Sequence, residues 1–206
     1  MCRLFHAGKI AIVTGLCTLY DKWLMIVGLP ARGKTHLSVS LSRYLKWSVS
    51  QPQYTRLINR LGVKVRVFHL GDYRRQVLGT KGLPEDYFWA RATDETLQLR
   101  EQIVDTCRKE LLEFFDVEKG QVGIYDAVNP TSAHRRKWKE TFEQHGIQTI
   151  FIESLCDNQE IIEQNVRSVK ISSPDVLSLI TPQSNPVFHT LFSCISLYLC
   201  FILNPF

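Results

Sequence analysis

At 206 residues the chain is long enough for one α/β domain with a sizeable core. Its 45% hydrophobic and 22% charged content is ordinary for a soluble globular protein. A net charge of +5 suits anionic small molecules, but the basic residues are dispersed, so no nucleic-acid partner is expected. The six cysteines, at 2, 17, 107, 156, 194 and 200, form no C-x-x-C; neither a zinc site nor a disulfide framework is indicated, and a reduced, cytoplasmic setting fits best.

Residues 1–23 read as an irregular lead-in or an extra edge strand. Arg3, Lys9 and Ile10 to Val13 faintly resemble a signal peptide, but Thr14, Gly15 and Asp21 interrupt the pattern. Leu24 to Val27 is a short apolar run, as expected of a buried parallel strand. Gly28 to Thr35 then read G-L-P-A-R-G-K-T, a full match to the phosphate-binding pattern G-x-x-x-x-G-K-[ST]. Gly28 and Gly33 allow a tight turn and close backbone approach to a phosphate. The loop N–H groups and the start of the next helix offer partial positive charge. Lys34 adds a full charge near the β- and γ-phosphates, and the Thr35 hydroxyl can ligate Mg²⁺. Leu37, Leu41, Tyr44 and Leu45 fall at helical spacing and predict the buried stripe of that helix.

Beyond it, residues 48–60 are too long for an ordinary helix-to-strand connection. Val63 to Leu70 predicts a second strand, followed by a loop through Gly79, Gly82 and Pro84. Thr93 is a candidate N-cap for a helix running to about Phe115, with Leu97, Val104, Cys107, Leu111 and Phe114 on its inner face. Val122 to Tyr125 is a third strand, Ser132 to His145 a basic helix and Thr149 to Glu153 a fourth strand. Asp157 to Val169 is a last helix with Ile162, Val166 and Val169 inward. Alternating strands and helices predict a parallel sheet. From about Leu177 the pattern dissolves into an atypical hydrophobic tail, 177–206. Its apolar stretch from Val187 to Leu203 is short for a membrane span and carries His189, Thr190, Ser193 and Ser196, so a membrane anchor is the less favoured reading.

Several residues can carry chemistry. Asp126 ends the third strand, the edge of a parallel sheet where ligands bind, and can hold Mg²⁺ or accept a hydroxyl proton. Arg74 and Arg75 follow the second strand, Arg100 lies on the long helix, Arg135 and Arg136 follow Asp126, and Lys170 ends the last helix. A kinase acting on a phosphorylated acceptor needs cations beyond those that bind ATP. Arg74 and Arg100 stand out. Asp72 either orients Tyr73 and the arginines or caps a turn. Cys156 reads as a small buried hydrophobe and His69 as a core residue. No metal site is assigned to His134, His145 or His189.

Five segments together resemble the 6-phosphofructo-2-kinase family, the kinase half of the bifunctional 6-phosphofructo-2-kinase/fructose-2,6-bisphosphatases. They are residues 28–36 (G-L-P-A-R-G-K-T-H), 67–75 (V-F-H-L-G-D-Y-R-R), 124–130 (I-Y-D-A-V-N-P), 150–156 (I-F-I-E-S-L-C) and 169–175 (V-K-I-S-S-P-D). The resemblance covers roughly 24–47 and 61–175, is closest in wording to fungal forms, and implies a P-loop NTPase-type fold, a parallel sheet with helices on both faces, over residues 24–176. It implies transfer of the ATP γ-phosphoryl group to the 2-hydroxyl of fructose 6-phosphate. On it, Gly28, Ala31, Arg32, Gly33, Lys34, Thr35 and His36 form the nucleotide site. Thr35 and Asp126 hold Mg²⁺, and Lys34 and Asp126 are catalytic. Arg74, Arg100, Arg136 and Lys170 engage the sugar phosphate or the transferring group. A homodimer is compatible with this reading.

The departures are specific. Residues 48–60 look inserted, because Trp47 would ordinarily lead almost directly to Leu61. The family pattern stops after Asp175, with Val176 where a tyrosine is expected, and no R-H-G phosphatase signature occurs. Both departures read as translated intron or misassembled sequence. The alternatives are a truncated, non-catalytic ATP-binding remnant and a different small-molecule P-loop kinase.

Overall fold

The computed structural model describes residues 3–5, 22–49, 64–79, 83–84, 86–87, 91–129 and 131–165. Among these residues five strands form one sheet: β1 (Arg3–Phe5), β2 (Lys22–Val27), β3 (Val65–His69), β4 (Val122–Asp126) and β5 (Gln148–Leu155), in the order β1-β5-β2-β4-β3. The strands from β2 to β5 are mutually parallel where they pair, and β1 adds antiparallel to β5. The extra edge strand considered for the N-terminus is therefore present at residues 3–5.

Helices are α1 (Lys34–Val49), α2 (Leu70–Leu78), α3 (Asp94–Asp116), α4 (Ser132–Gln144) and α5 (Gln159–Asn165). Alternation along β2 decides which helix covers which face. Leu24 and Ile26 turn to one side and pack with Val65, Val122, Ile124 and Ile152 beneath Leu37, Leu41 and Leu45 of α1. Trp23, Met25 and Val27 turn to the other, where α3 supplies Ile103, Cys107, Leu111 and Phe114 and α4 supplies Trp138 and Phe142. Trp23 stacks on Phe142 at 4.1 Å and on Trp138 at 5.2 Å between ring centroids, and Trp138 stacks on Tyr125 at 4.6 Å. Offset stacking of this kind adds to the area that these large rings bury. Both faces of the sheet are thus covered, as expected.

The expected helix faces need correction in detail. On α1, Tyr44 is 47% exposed, whereas Ser38 and Ser42 are buried. Small hydroxyl side chains let the helix approach the sheet closely, and Ser38 satisfies its own hydroxyl on Thr35 O at 2.9 Å. On α3, Leu97 is 44% exposed, because in the first turn it is Thr96 that faces inward, while Ile103, Cys107, Leu111 and Phe114 remain buried further along. Thr93 does cap α3, accepting from Thr96 N. The stretch after β3 is a nine-residue helix, α2, where the sequence suggested only a loop. The two leading residues of the suspected insertion, Ser48 and Val49, belong to α1; residues 50–60, Val166, Val169, Lys170 and the tail 177–206 lie outside the described residues.

Candidate active site

Register brings the chemistry together. Ile26 pairs with Asp126 across β2 and β4, and His69 pairs with Asp126 across β4 and β3. Three strands therefore end level with one another, at the C-terminal edge where α/β sheets bind ligands. The turn from β2 into α1 crosses this edge. It holds three positive φ angles, at Gly28 (145°), Ala31 (61°) and Gly33 (81°). A Cβ on Gly28 would stand 2.6 Å from Ser154 O, so the loop runs hard against β5.

Polar contacts fix the loop from both sides. Ser154 Oγ donates to Arg32 O at 2.7 Å, and Arg32 donates to Cys156 O at 2.5 Å. Asn165 Nδ2 donates to Ala31 O at 3.0 Å. Arg32 is thus a brace of the loop on β5. Cys156 is buried, as expected of a small hydrophobe, and its carbonyl rather than its thiol meets the loop. Lys34 is buried and donates to Leu29 O at 2.6 Å, so its ammonium already lies over the loop carbonyls. Thr35 and His36 are solvent-exposed at the mouth of α1.

Asp126 is the most constrained acid of the site, being only 1% exposed. Its Oδ2 accepts from Ser38 Oγ at 3.2 Å and lies 2.9 Å from His69 Nδ1. Burial alone would raise its pKa, but the hydrogen bond and charge of His69, a hydrogen bond from Thr35 and the charge of Lys34 outweigh burial and hold it below its ordinary value. It is therefore an ionised carboxylate at neutral pH, beside the hydroxyl and the ammonium of the phosphate loop. A carboxylate and a hydroxyl are the hard oxygen donors that suit Mg²⁺, and a glycine-turned loop with a lysine folded over it suits a polyphosphate. The residues present fit both groups.

Behind Asp126, Asn129 has φ 48° and is buried, donating to Ile26 O at 2.8 Å and tying the β4 exit to β2. Arg135 in turn donates to Asn129 O at 2.9 Å. Here the neighbours Arg135 and Arg136 part ways: Arg135 is buried in this brace and Arg136 is exposed on α4. Arg74 and Arg100, from α2 and α3, converge on one ring. Their guanidinium carbons lie 5.7 and 5.3 Å from the Tyr87 centroid, and Arg100 also donates to the carbonyls of Asp86 and Tyr87. Asp86 accepts from Thr93 N at 2.7 Å and Thr96 Oγ1 at 2.7 Å, which pins this turn to the start of α3. Asp72 pairs with Arg75, and Tyr73 donates to Glu110 at 2.7 Å, so Tyr73 is held by α3 rather than by Asp72.

His69 is thus not a passive core residue. Its proximity to Asp126 comes from parallel pairing of positions 57 residues apart, which no local pattern records. Ser38 and Asn129 escaped sequence reasoning for the same reason. Among the described residues no group of three or more His, Cys, Asp or Glu could hold a metal by itself, and no helix is long and apolar enough to cross a membrane.

Comparison with known proteins agrees with this geometry. Residues 18–194 match the family model for 6-phosphofructo-2-kinase. Human 6-phosphofructo-2-kinase/fructose-2,6-bisphosphatase 1 is 36% identical over 154 residues, 75% of this chain and 29% of the relative. Human 6-phosphofructo-2-kinase/fructose-2,6-bisphosphatase 4 is 34% identical over 181 residues, 87% of this chain and 35% of the relative. The chain thus spans about a third of the length of these curated relatives. Among solved structures, Chaetomium thermophilum Kti12 in complex with ADP-AlF3 superposes with a TM-score of 0.50 at 13% identity, covering 82% of this chain and 79% of that one, a likeness of fold alone. With the phosphate loop, the following strand ends and most of the chain inside one family model, the chain belongs to the 6-phosphofructo-2-kinase family.

Proposed function

We propose that the chain transfers the γ-phosphoryl group of ATP to the 2-hydroxyl of fructose 6-phosphate, giving fructose 2,6-bisphosphate and ADP, in the cytoplasm and as a homodimer. The observation that carries this reading is the meeting of Lys34, Thr35 and Asp126 at one sheet edge in a chain of this family. Bound Mg-ATP supplies the phosphoryl group and the cation that offsets its charge. The residues supply placement. Gly28, Ala31, Arg32, Gly33 and His36 shape and flank the phosphate cradle. Lys34, whose ammonium rests on Leu29 O, would engage the phosphates, and Thr35 and Asp126 would hold the cation.

Asp126 receives the proton of the acceptor hydroxyl as the new O–P bond forms and the bond to the ADP oxygen breaks. A carboxylate with a lowered pKa is a weak base, which suits a loose transition state whose acceleration rests on positioning and charge neutralisation. Arg74 and Arg100, gathered at Tyr87, bind the sugar phosphate together with Arg136 and Lys170. ADP release that depends on fructose 6-phosphate, and not on gluconate or shikimate, is the expected result. Equal turnover with those acceptors would assign the chain to another small-molecule kinase class, and ATP binding without turnover would make it a nucleotide-binding remnant.

A further inference from the structure

Asp126 is buried, charged and close to two hydroxyls, so something must fix which way its carboxylate turns. Ser38 cannot do so alone. Its single hydroxyl proton is shared between Thr35 O at 2.9 Å and Asp126 Oδ2 at 3.2 Å, and the shorter contact is the one to the backbone. His69 Nδ1 lies 2.9 Å from the same oxygen, and because an ionised carboxylate can only accept, this nitrogen carries the proton and donates, with no such division. The ring is itself well seated. His69 ends β3 in register with Asp126, and its Nε2 edge lies against Gly71, where a Cβ would stand 2.8 Å from it. Both contacts fall on Oδ2, which leaves Oδ1 as the oxygen engaged by neither.

We propose that His69 is a positioning residue for Asp126: its Nδ1–H holds Oδ2 so that Oδ1 is presented to the cation of the bound nucleotide. The inference rests on the phosphate-loop reading of this site and adds a residue to it. Groups that orient metal-ligating carboxylates typically change metal affinity or activity by about 10–100-fold when removed. Geometry distinguishes the variants. An asparagine amide lies at the same bond separation from Cβ as Nδ1, whereas a glutamine amide reaches the Nε2 position.

The test is Mg²⁺-dependent binding of a fluorescent ATP analogue to the full chain and to His69→Ala, His69→Asn and His69→Gln, with ADP release measured in parallel. The expected result is a Mg²⁺ half-saturation raised about 10-fold or more in His69→Ala and His69→Gln and restored to within about 3-fold in His69→Asn, with binding in EDTA unchanged throughout. An unchanged Mg²⁺ dependence in His69→Ala, an Asn variant as weak as Ala, or rescue by Gln rather than Asn would each overturn the proposal. If His69→Ala does not fold, as judged by its thermal transition, the two amide variants decide: a Gln variant with the same Mg²⁺ half-saturation as the Asn variant would overturn the proposal. Absence of turnover in the wild-type chain, with the Mg²⁺ pattern as expected, would sink the kinase reading and leave this one standing.

Discussion

Gly28→Ala and Gly33→Ala separate two causes of glycine dependence that the motif alone treats as one. Both positions have positive φ, 145° and 81°. An alanine at Gly33 meets nothing within 4 Å, so it bears only the left-handed backbone penalty, about 1–2 kcal/mol. An alanine at Gly28 occupies a backbone region open essentially to glycine, at about 1–3 kcal/mol, and also meets Ser154 O at 2.6 Å. The obstacle is a backbone carbonyl of β5, whose Ser154 side chain bonds Arg32 O, so the strand cannot move without loosening the loop. Overpacking of this kind adds roughly 1–3 kcal/mol. The sum for Gly28→Ala is about 2–6 kcal/mol, against 1–2 for Gly33→Ala. In a chain of this size each kcal/mol lowers Tm by roughly 2–4 °C, so Gly28→Ala should lose about 4–24 °C and Gly33→Ala about 2–8 °C, the first always the larger of the two. Thermal unfolding followed by circular dichroism measures both. Equal shifts, or a larger one at Gly33, would refute the close approach of the loop to β5.

Other outcomes follow from particular contacts. Lys34→Ala should lower acceptor-dependent ADP release by roughly 10²–10³-fold while the fold persists, which a steady-state assay with a melting curve will show. Tyr73→Phe removes the bond to Glu110 that ties α2 to α3 and should cost about 1–2 kcal/mol in urea unfolding, with an unchanged m-value. Asp86 has its pKa lowered from 3.8, chiefly by the bond from Thr93 N. Its contribution to stability is therefore complete above pH 3.8 and is lost as the pH falls through the lower folded value. Asp86→Asn should flatten that acid limb of the stability curve, and an unchanged limb would contradict the assigned contacts. Burial pushes the Cys107 thiol up to about 12, so a thiol reagent at neutral pH should label it only on unfolding.

How much of this was legible beforehand depended on the range of the interaction involved. The phosphate loop, its flanking strand and helix, Thr93 as N-cap and the alternating α/β order all rest on contacts within a few residues, and each was readable. Helix faces were less so. Leucines at helical spacing suggested Tyr44 as part of the α1 stripe, but the helix is rotated so that Ser38 and Ser42 face the sheet, since small polar residues fit a close approach that a hydrophobicity pattern does not reward. Helix α2 was missed because Gly71, Asp72 and two arginines look like turn chemistry, while its only buried residue is Tyr73. The convergence of Arg74 and Arg100 on Tyr87, the brace from Arg135 to Asn129 and the contact of His69 with Asp126 depend on sheet order and register, to which local spacing is blind. The family resemblance supplied part of that long-range information, but not the role of His69.

The central claim is phosphoryl transfer to a sugar phosphate from this loop. The most direct measurement is fructose-6-phosphate-dependent ADP release from Mg-ATP by the purified chain, with Lys34→Ala alongside. The account predicts release that requires the acceptor and is lost in the variant. Release that ignores the acceptor, persists in Lys34→Ala, or is absent from a folded chain that binds ATP would contradict it.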